Sequence, residues 1–93
     1  MAYATINKPN QYFNTVLYTG NGSTNSITGV NFKPDFTWTK TRSTTFAHGL
    51  WDAVRGTTKK LSSNSTDAEV TESGLTAFNS DGFTLGSDAG ANQ

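Results

Sequence analysis

The sequence contains no cysteine, so neither a disulfide framework nor a thiolate metal site is open to it. Its formal net charge at pH 7 is zero, and Lys59-Lys60 is its only adjacent basic pair; a nucleic-acid partner, which calls for a basic patch, is not expected. No long apolar run is present, so no membrane insertion is expected. The first residues show no basic region followed by an apolar one, and no secretory leader is expected. Hydrophobic residues make up only 33% and charged residues only 15% of the chain. A disordered chain combines low hydrophobicity with high net charge, and the second half of that signature is missing.

What is abundant is Thr, Ser, Asn and Gly, with aromatics at 12%. Threonine suits strands, while Asn, Ser and Gly suit the turns between them. At 93 residues the chain is one domain at most. The composition predicts many short strands and a thin core pinned by rings, with support either from neighbouring subunits or from a further part of the chain. The expected fold is all-β: a small antiparallel β-sandwich, jelly-roll or lectin-like, completed by a neighbouring chain. Residues 1–11 read as a lead-in or anchoring arm, 12–88 as the β-sandwich, and 89–93 as a flexible C-terminal tail with no core residue.

The centre of the pattern is Phe32–Gly56, which holds both tryptophans, both arginines and the only histidine. Within it, Phe36 to Thr41 alternates bulky side chains with threonine at a period of two, the clearest strand signal in the chain. Phe36 and Trp38 are expected to face the core, and Trp38→Ala to cost about 3–5 kcal/mol. Ala47–Val54 reads as the partner strand, with a short helical turn as the competing reading. Upstream, Tyr12–Tyr18 reads as a strand covered on both faces, followed by a Thr19–Ser23 turn and a return strand over Ser26–Val30, with Gly29 as a bulge. Downstream come short strands around Leu61, at Leu75–Phe78 and at Phe83–Leu85. Ser65–Glu69 resembles the start of a short helical turn. Asn79–Gly82 reads as a hairpin turn in which Gly82 supplies a positive φ.

No catalytic, cofactor or metal site is expected. His48 and Asp52 would make a thin dyad with no nucleophile in sight, and a structural histidine is the better reading. Asp52 and Arg55 read as a structural pair fixing a strand end. Asp67, Glu69 and Glu72 read as a solvated acidic loop, because no calcium-loop spacing is present. Trp51, with Arg42 and Phe46 in the neighbouring loop, is the candidate surface or ligand contact, since an exposed ring can stack on a sugar.

Several spaced motifs carry a resemblance. They are Tyr12-Phe13-Asn14-Thr15, Tyr18-Thr19-Gly20-Asn21-Gly22, Pro34-Asp35-Phe36-x-Trp38-x-Lys40-x-Arg42-Ser43, His48-x-Leu50-x-Asp52-x-Val54-Arg55-Gly56, Leu61-Ser62-Ser63-Asn64-Ser65-Thr66 and Ser80-Asp81-Gly82-Phe83-Thr84-Leu85-Gly86. Together they resemble a family of virion structural proteins from tailed phages, over about residues 12–88. The resemblance implies a non-enzymatic virion component, tail-fibre or tail-associated, with a lectin-like β-sandwich. It implies other virion proteins as partners, a homo-oligomer, and contact with a host-surface glycan. A capsid decoration or head-fibre protein, or a carbohydrate-binding module, is the alternative. The family carries no accepted catalytic or ligand residues, so none is transferred. Its chains usually continue into a further aromatic strand, and the expectation is therefore an unpaired edge beside Phe83–Leu85, filled by a neighbour.

Overall fold

Short strands with β-formers on alternate positions pair into two antiparallel sheets in the computed structural model, which describes residues 12–92. The expected lead-in at 1–11 and the final residue lie outside the described residues. In chain order the elements are β1 (Asn25–Ile27), β2 (Phe36–Thr39), β3 (Gly49–Asp52), β4 (Gly56–Leu61), β5 (Val70–Thr71), β6 (Leu75–Asn79), β7 (Gly82–Leu85) and a single turn of helix, α1 (Ala89–Asn92). One sheet has the order β1-β7-β6, the other β2-β3-β4-β5. The chain is all-β with two antiparallel sheets and almost no helix, as a small β-sandwich requires.

The sheets share one core. Ile27, Leu75, Phe83 and Leu85 come from the first sheet and Trp51 from the second, with Val30 and Ala91 closing the ends. Ile27 sits opposite Phe83, and Leu85 opposite Leu75, so cross-strand pairing puts these side chains on one face. Trp51, Leu75 and Leu85 are fully buried.

Four expectations are corrected here. First, Tyr12–Tyr18 enters neither sheet. It runs as an extended strap with Asn14, Val16 and Tyr18 half-buried and Phe13, Thr15 and Leu17 exposed. Side-chain hydrogen bonds hold it: Asn14 Nδ2 donates to Val30 O (3.2 Å) and Tyr18 Oη to Ala91 O (2.5 Å). Tyr18 also packs edge-on against Phe83, with centroids 6.4 Å apart. Second, residues 89–92 are no loose tail. Ala91 is core and Asn92 is fully buried, because the backbone folds back through bonds from Ala91 N and Asn92 N to Asp88 O. Third, β7 is not an edge; it is the central strand of its sheet, paired on both sides. Its ladder groups are used by β1 and β6, and no neighbour is needed there. Fourth, Ser65–Glu69 is not helical: Ser65 Oγ accepts from Asp67 N (3.1 Å) in a local turn.

The β6–β7 hairpin is present, but Gly82 serves it differently from the expectation. Its φ is not positive; a Cβ there would strike the Ile27 carbonyl, and only glycine lets β1 close on the turn. Asp81 beside it clasps the loop after β1. Its carboxylate accepts from Gly29 N (3.0 Å) and Asn31 N (2.7 Å), and its carbonyl accepts from Val30 N (3.1 Å). Gly29, at φ 83°, lies beyond the end of β1 and so is a loop residue shaped for this clasp, not a bulge within a strand.

The two backbone N–H groups hold the Asp81 carboxyl below the usual carboxylate range. A depressed folded-state pKa adds stability above the unfolded-state value and loses it as pH falls through the folded one. Thermal melts taken as a pH series are expected to show wild type ahead of Asp81→Asn at neutral pH, with the gap closing toward acid. A gap that does not change with pH would show that the clasp does not depend on charge.

Candidate functional site

Pairing parity decides which side chains reach the surface of the second sheet. Phe36 pairs with Asp52 and Trp38 with Leu50, while Leu50 pairs in turn with Leu61. These residues therefore share the outer face. Thr37 opposite Trp51 and Thr39 opposite Gly49 share the inner one. The period-two reading of β2 holds, but its faces are reversed: Thr37 and Thr39 are buried, whereas Phe36 is 54% and Trp38 60% exposed. Trp51 is the cause. Its indole lies flat in a slot where a Cβ on Gly49 would collide with Cη2, and one on Gly74 would come within 2.5 Å of Cζ2. With that ring filling the inner face, only threonine-sized residues fit beside it on β2. Among the described residues, Thr37 Oγ1, Thr39 Oγ1 and Trp51 Nε1 find no partner.

The expected contact set of Trp51, Arg42 and Phe46 is not assembled. Trp51 has no exposed surface, so it cannot touch a ligand. Arg42 is exposed and lines a shallow cleft of about 290 Å³ with Val16–Gly20 and Ala91. Phe46 is 39% exposed and lies over Gly90.

What the outer face offers instead is a fixed aromatic. Trp38 Nε1 donates to His48 Nδ1 at 2.8 Å, and the two rings sit 5.7 Å apart at 48°. His48 is anchored in turn, its backbone N–H donating to Asn64 Oδ1 (3.1 Å). An accepting Nδ1 places the proton of the neutral ring on Nε2. His48 therefore orients Trp38, the structural role expected of it, and no hydrogen bond links it to Asp52. Asp52 is occupied by Arg55, accepting from its N–H (2.7 Å) and Nε (2.5 Å). Arg55 also reaches Glu69 Oε1 (3.1 Å) and Leu50 O (3.3 Å). The Arg55 backbone N–H first, then its guanidinium, hold the Asp52 carboxyl below the usual carboxylate range. This is the strand-end pair read from the sequence. Among the described residues no cluster of acidic or histidine side chains is placed to hold a metal ion.

The backbone of β2 completes the face. Ala53 N donates to Asp35 O, so in regular antiparallel pairing Asp35, Thr37 and Thr39 point their polar groups at β3. Those of Phe36 and Trp38 point away, from the outer edge of the sheet. Because Trp38 lies on the surface, Trp38→Ala is expected to change stability by less than about 1 kcal/mol, measured by urea denaturation. A loss of 3 kcal/mol or more would place Trp38 in the core after all.

Fold and face together define a small all-β domain that exposes an aromatic edge strand. Within that class the chain belongs to the DUF7483 family, a domain of unknown function whose sequence model matches residues 8–93. No curated protein and no solved structure matches it.

Proposed function

We propose that the chain is a non-enzymatic structural component of a tailed-phage virion, tail-fibre or tail-associated, that works by assembling with copies of itself and with other virion proteins. The observation that carries this reading is the β2 edge. Phe36 and Trp38 are exposed there side by side, and their backbone groups are directed outward. Soluble monomers usually blunt such an edge with charge, proline or a bulge inside the strand; β2 has none of these between Phe36 and Thr39. A second β2 laid antiparallel about a two-fold axis at Thr37 would set Phe36 against Trp38 of the other copy. Both residues direct their ladder groups outward, so the pair closes with backbone hydrogen bonds on the same face.

Two half-exposed rings per chain supply only about 500 Å² between two copies, well under the roughly 1,200 Å² of a stable interface. Self-association is therefore expected to depend on concentration in isolation and to be reinforced in a particle. Light scattering behind size-exclusion chromatography, across a concentration series, is expected to show dimer or higher species for wild type and monomer for Phe36→Lys. A wild-type chain that stays monomeric at millimolar concentration removes the edge from the reading. Immuno-electron microscopy of virions then tests the location, tail or head.

One observation favours a second reading, a carbohydrate-binding surface. Trp38 presents an open ring face while His48 holds its edge, and a ring oriented in advance binds a sugar face at low entropic cost. A glycan array with wild type and Trp38→Ala tests it: signal lost in the variant supports the reading, and an array without signal for folded wild type ends it.

A further inference from the structure

Three ionisable side chains meet where Lys60 lies over the Trp51 indole. Lys60 is an inner-face residue of β4, its side chain only 12% exposed. Its Nζ lies 3.1 Å from Glu72 Oε2 and 5.9 Å from the centroid of the Trp51 ring. It also lies 3.9 Å from Asp88 Oδ2. The Asp88 side chain is 17% exposed, and its Oδ2 is buried with no hydrogen-bond partner among the described residues. Charge-assisted pairs normally close to about 2.7–2.9 Å; Lys60 has closed on Glu72 and not on Asp88. The two carboxyls thus differ in role. Burial pushes the Asp88 carboxyl up from the usual carboxylate range; the Lys60 ammonium opposes this, and the Glu72 carboxylate adds to it.

We propose that Lys60 and Asp88 condense into an intramolecular isopeptide bond, with Glu72 as the proton-transfer group. Glu72 takes a proton from the Lys60 ammonium it touches. The freed nitrogen lone pair adds to the Asp88 carboxyl carbon, carried by the protonated acid. Glu72 then delivers its proton to the departing hydroxyl and takes up the second proton of the nitrogen as the amide forms, so that it ends as the neutral acid and charge balances. One N–C bond forms, one C–O bond breaks and one water leaves, so no oxidant, reductant or activated co-substrate is needed. Nζ stands 3.9 Å from Asp88 Oδ2 and must come to about 3–3.5 Å from the carboxyl carbon, which a shift of the flexible Lys60 stem supplies. The burial of Lys60 and Asp88 limits access of the water that would reverse the step, while Glu72, its side chain 38% exposed, stays in exchange with solvent. The bond joins β4 to the chain entering α1, a covalent staple in a protein with no cysteine.

Intact mass spectrometry of the folded full chain is the test. Wild type is expected to be lighter than its sequence by one water, with a cross-linked peptide joining Lys60 to Asp88 and no tryptic cleavage after Lys60. Lys60→Arg and Asp88→Ala are expected at their full sequence masses. Glu72→Gln, shown to be folded by circular dichroism, is expected to cross-link at least about 100-fold more slowly, the scale of a lost proton-transfer group. Folded wild type that keeps its full mass on prolonged incubation, with linear Lys60 and Asp88 peptides, overturns the proposal. Glu72→Gln cross-linking at the wild-type rate overturns the role of Glu72. If a variant fails to fold, the wild-type peptide map decides alone.

Discussion

Trp51→Ala is expected to destabilise the domain by about 3–5 kcal/mol, the cost of emptying a fully buried aromatic site. Total stability for a small domain is about 5–15 kcal/mol, so the variant stands at the margin of folding. The site cannot collapse easily. Gly49 and Gly74 line the slot and have no side chains to swing into the space, while Thr37, across the β2–β3 pair, is held by the ladder. Lys60 would lose the ring it lies over, and with it the apolar wall beside its pairs to Glu72 and Asp88. Urea denaturation followed by circular dichroism measures the effect. Trp38→Ala in the same series is the control, because the two substitutions remove the same side chain from opposite faces of one sheet. Equal losses would mean that burial does not distinguish the two tryptophans.

Asn92→Ala is expected to cost about 3 kcal/mol, through stranded polar groups instead of a cavity. Asn92 is fully buried and ties the last turn to the Asn21–Asn25 segment. Its Oδ1 accepts from Asn21 N and Asn25 Nδ2, both at 3.0 Å. Its Nδ2 reaches Asn21 Oδ1 (3.1 Å), Gly86 O (2.8 Å) and Ser23 O. Two N–H groups serve three acceptors there, so one is shared. The backbone joins in, with Gly22 N donating to Asn92 O (2.6 Å). Removal of the amide leaves the buried Gly86 O and the part-buried groups of Asn21, Ser23 and Asn25 without these partners and frees Ala91 from the core. Thermal melts should fall, and hydrogen exchange should rise at Gly22 and Ala91. Asn92→Asp is expected to behave almost as badly, since it keeps the acceptor and loses both donors. A melt within a degree or two of wild type would show that water replaces the network.

Much of the strand content was legible because it rests on period-two alternation and on turn residues, both local. Phe36–Thr39, Leu75–Asn79 and Gly82–Leu85 fall where the pattern puts them. The Asp52–Arg55 pair was legible for the same reason, its partners lying three residues apart. The two tryptophans were not. Alternation shows that Trp38 and Thr37 face opposite ways, but not which way is inward, and a one-residue difference in register exchanges the faces. The exposed face of β2, on which the functional reading rests, became visible only when Trp51 was seen filling the inside.

The C-terminal segment makes the same point. Residues 89–93 are small and polar and carry no hydrophobic signal, so they read as a tail. Ala91 and Asn92 are buried because the Asn92 amide finds partners some 70 residues away, at Asn21 and Asn25, and such pairing has no local signature. The Lys60–Glu72–Asp88 cluster is likewise drawn from three separate segments of the chain.

By itself, then, the sequence determined that this protein is an all-β chain of short strands with no thiol chemistry, because composition and short-range alternation act within a few residues. Tertiary structure alone decided which tryptophan is core, which strand lies at the edge of its sheet among the described residues, and which charged groups meet. Those outcomes depend on the register of strands distant in sequence and on the space that Gly49, Gly74 and Gly82 leave for their neighbours.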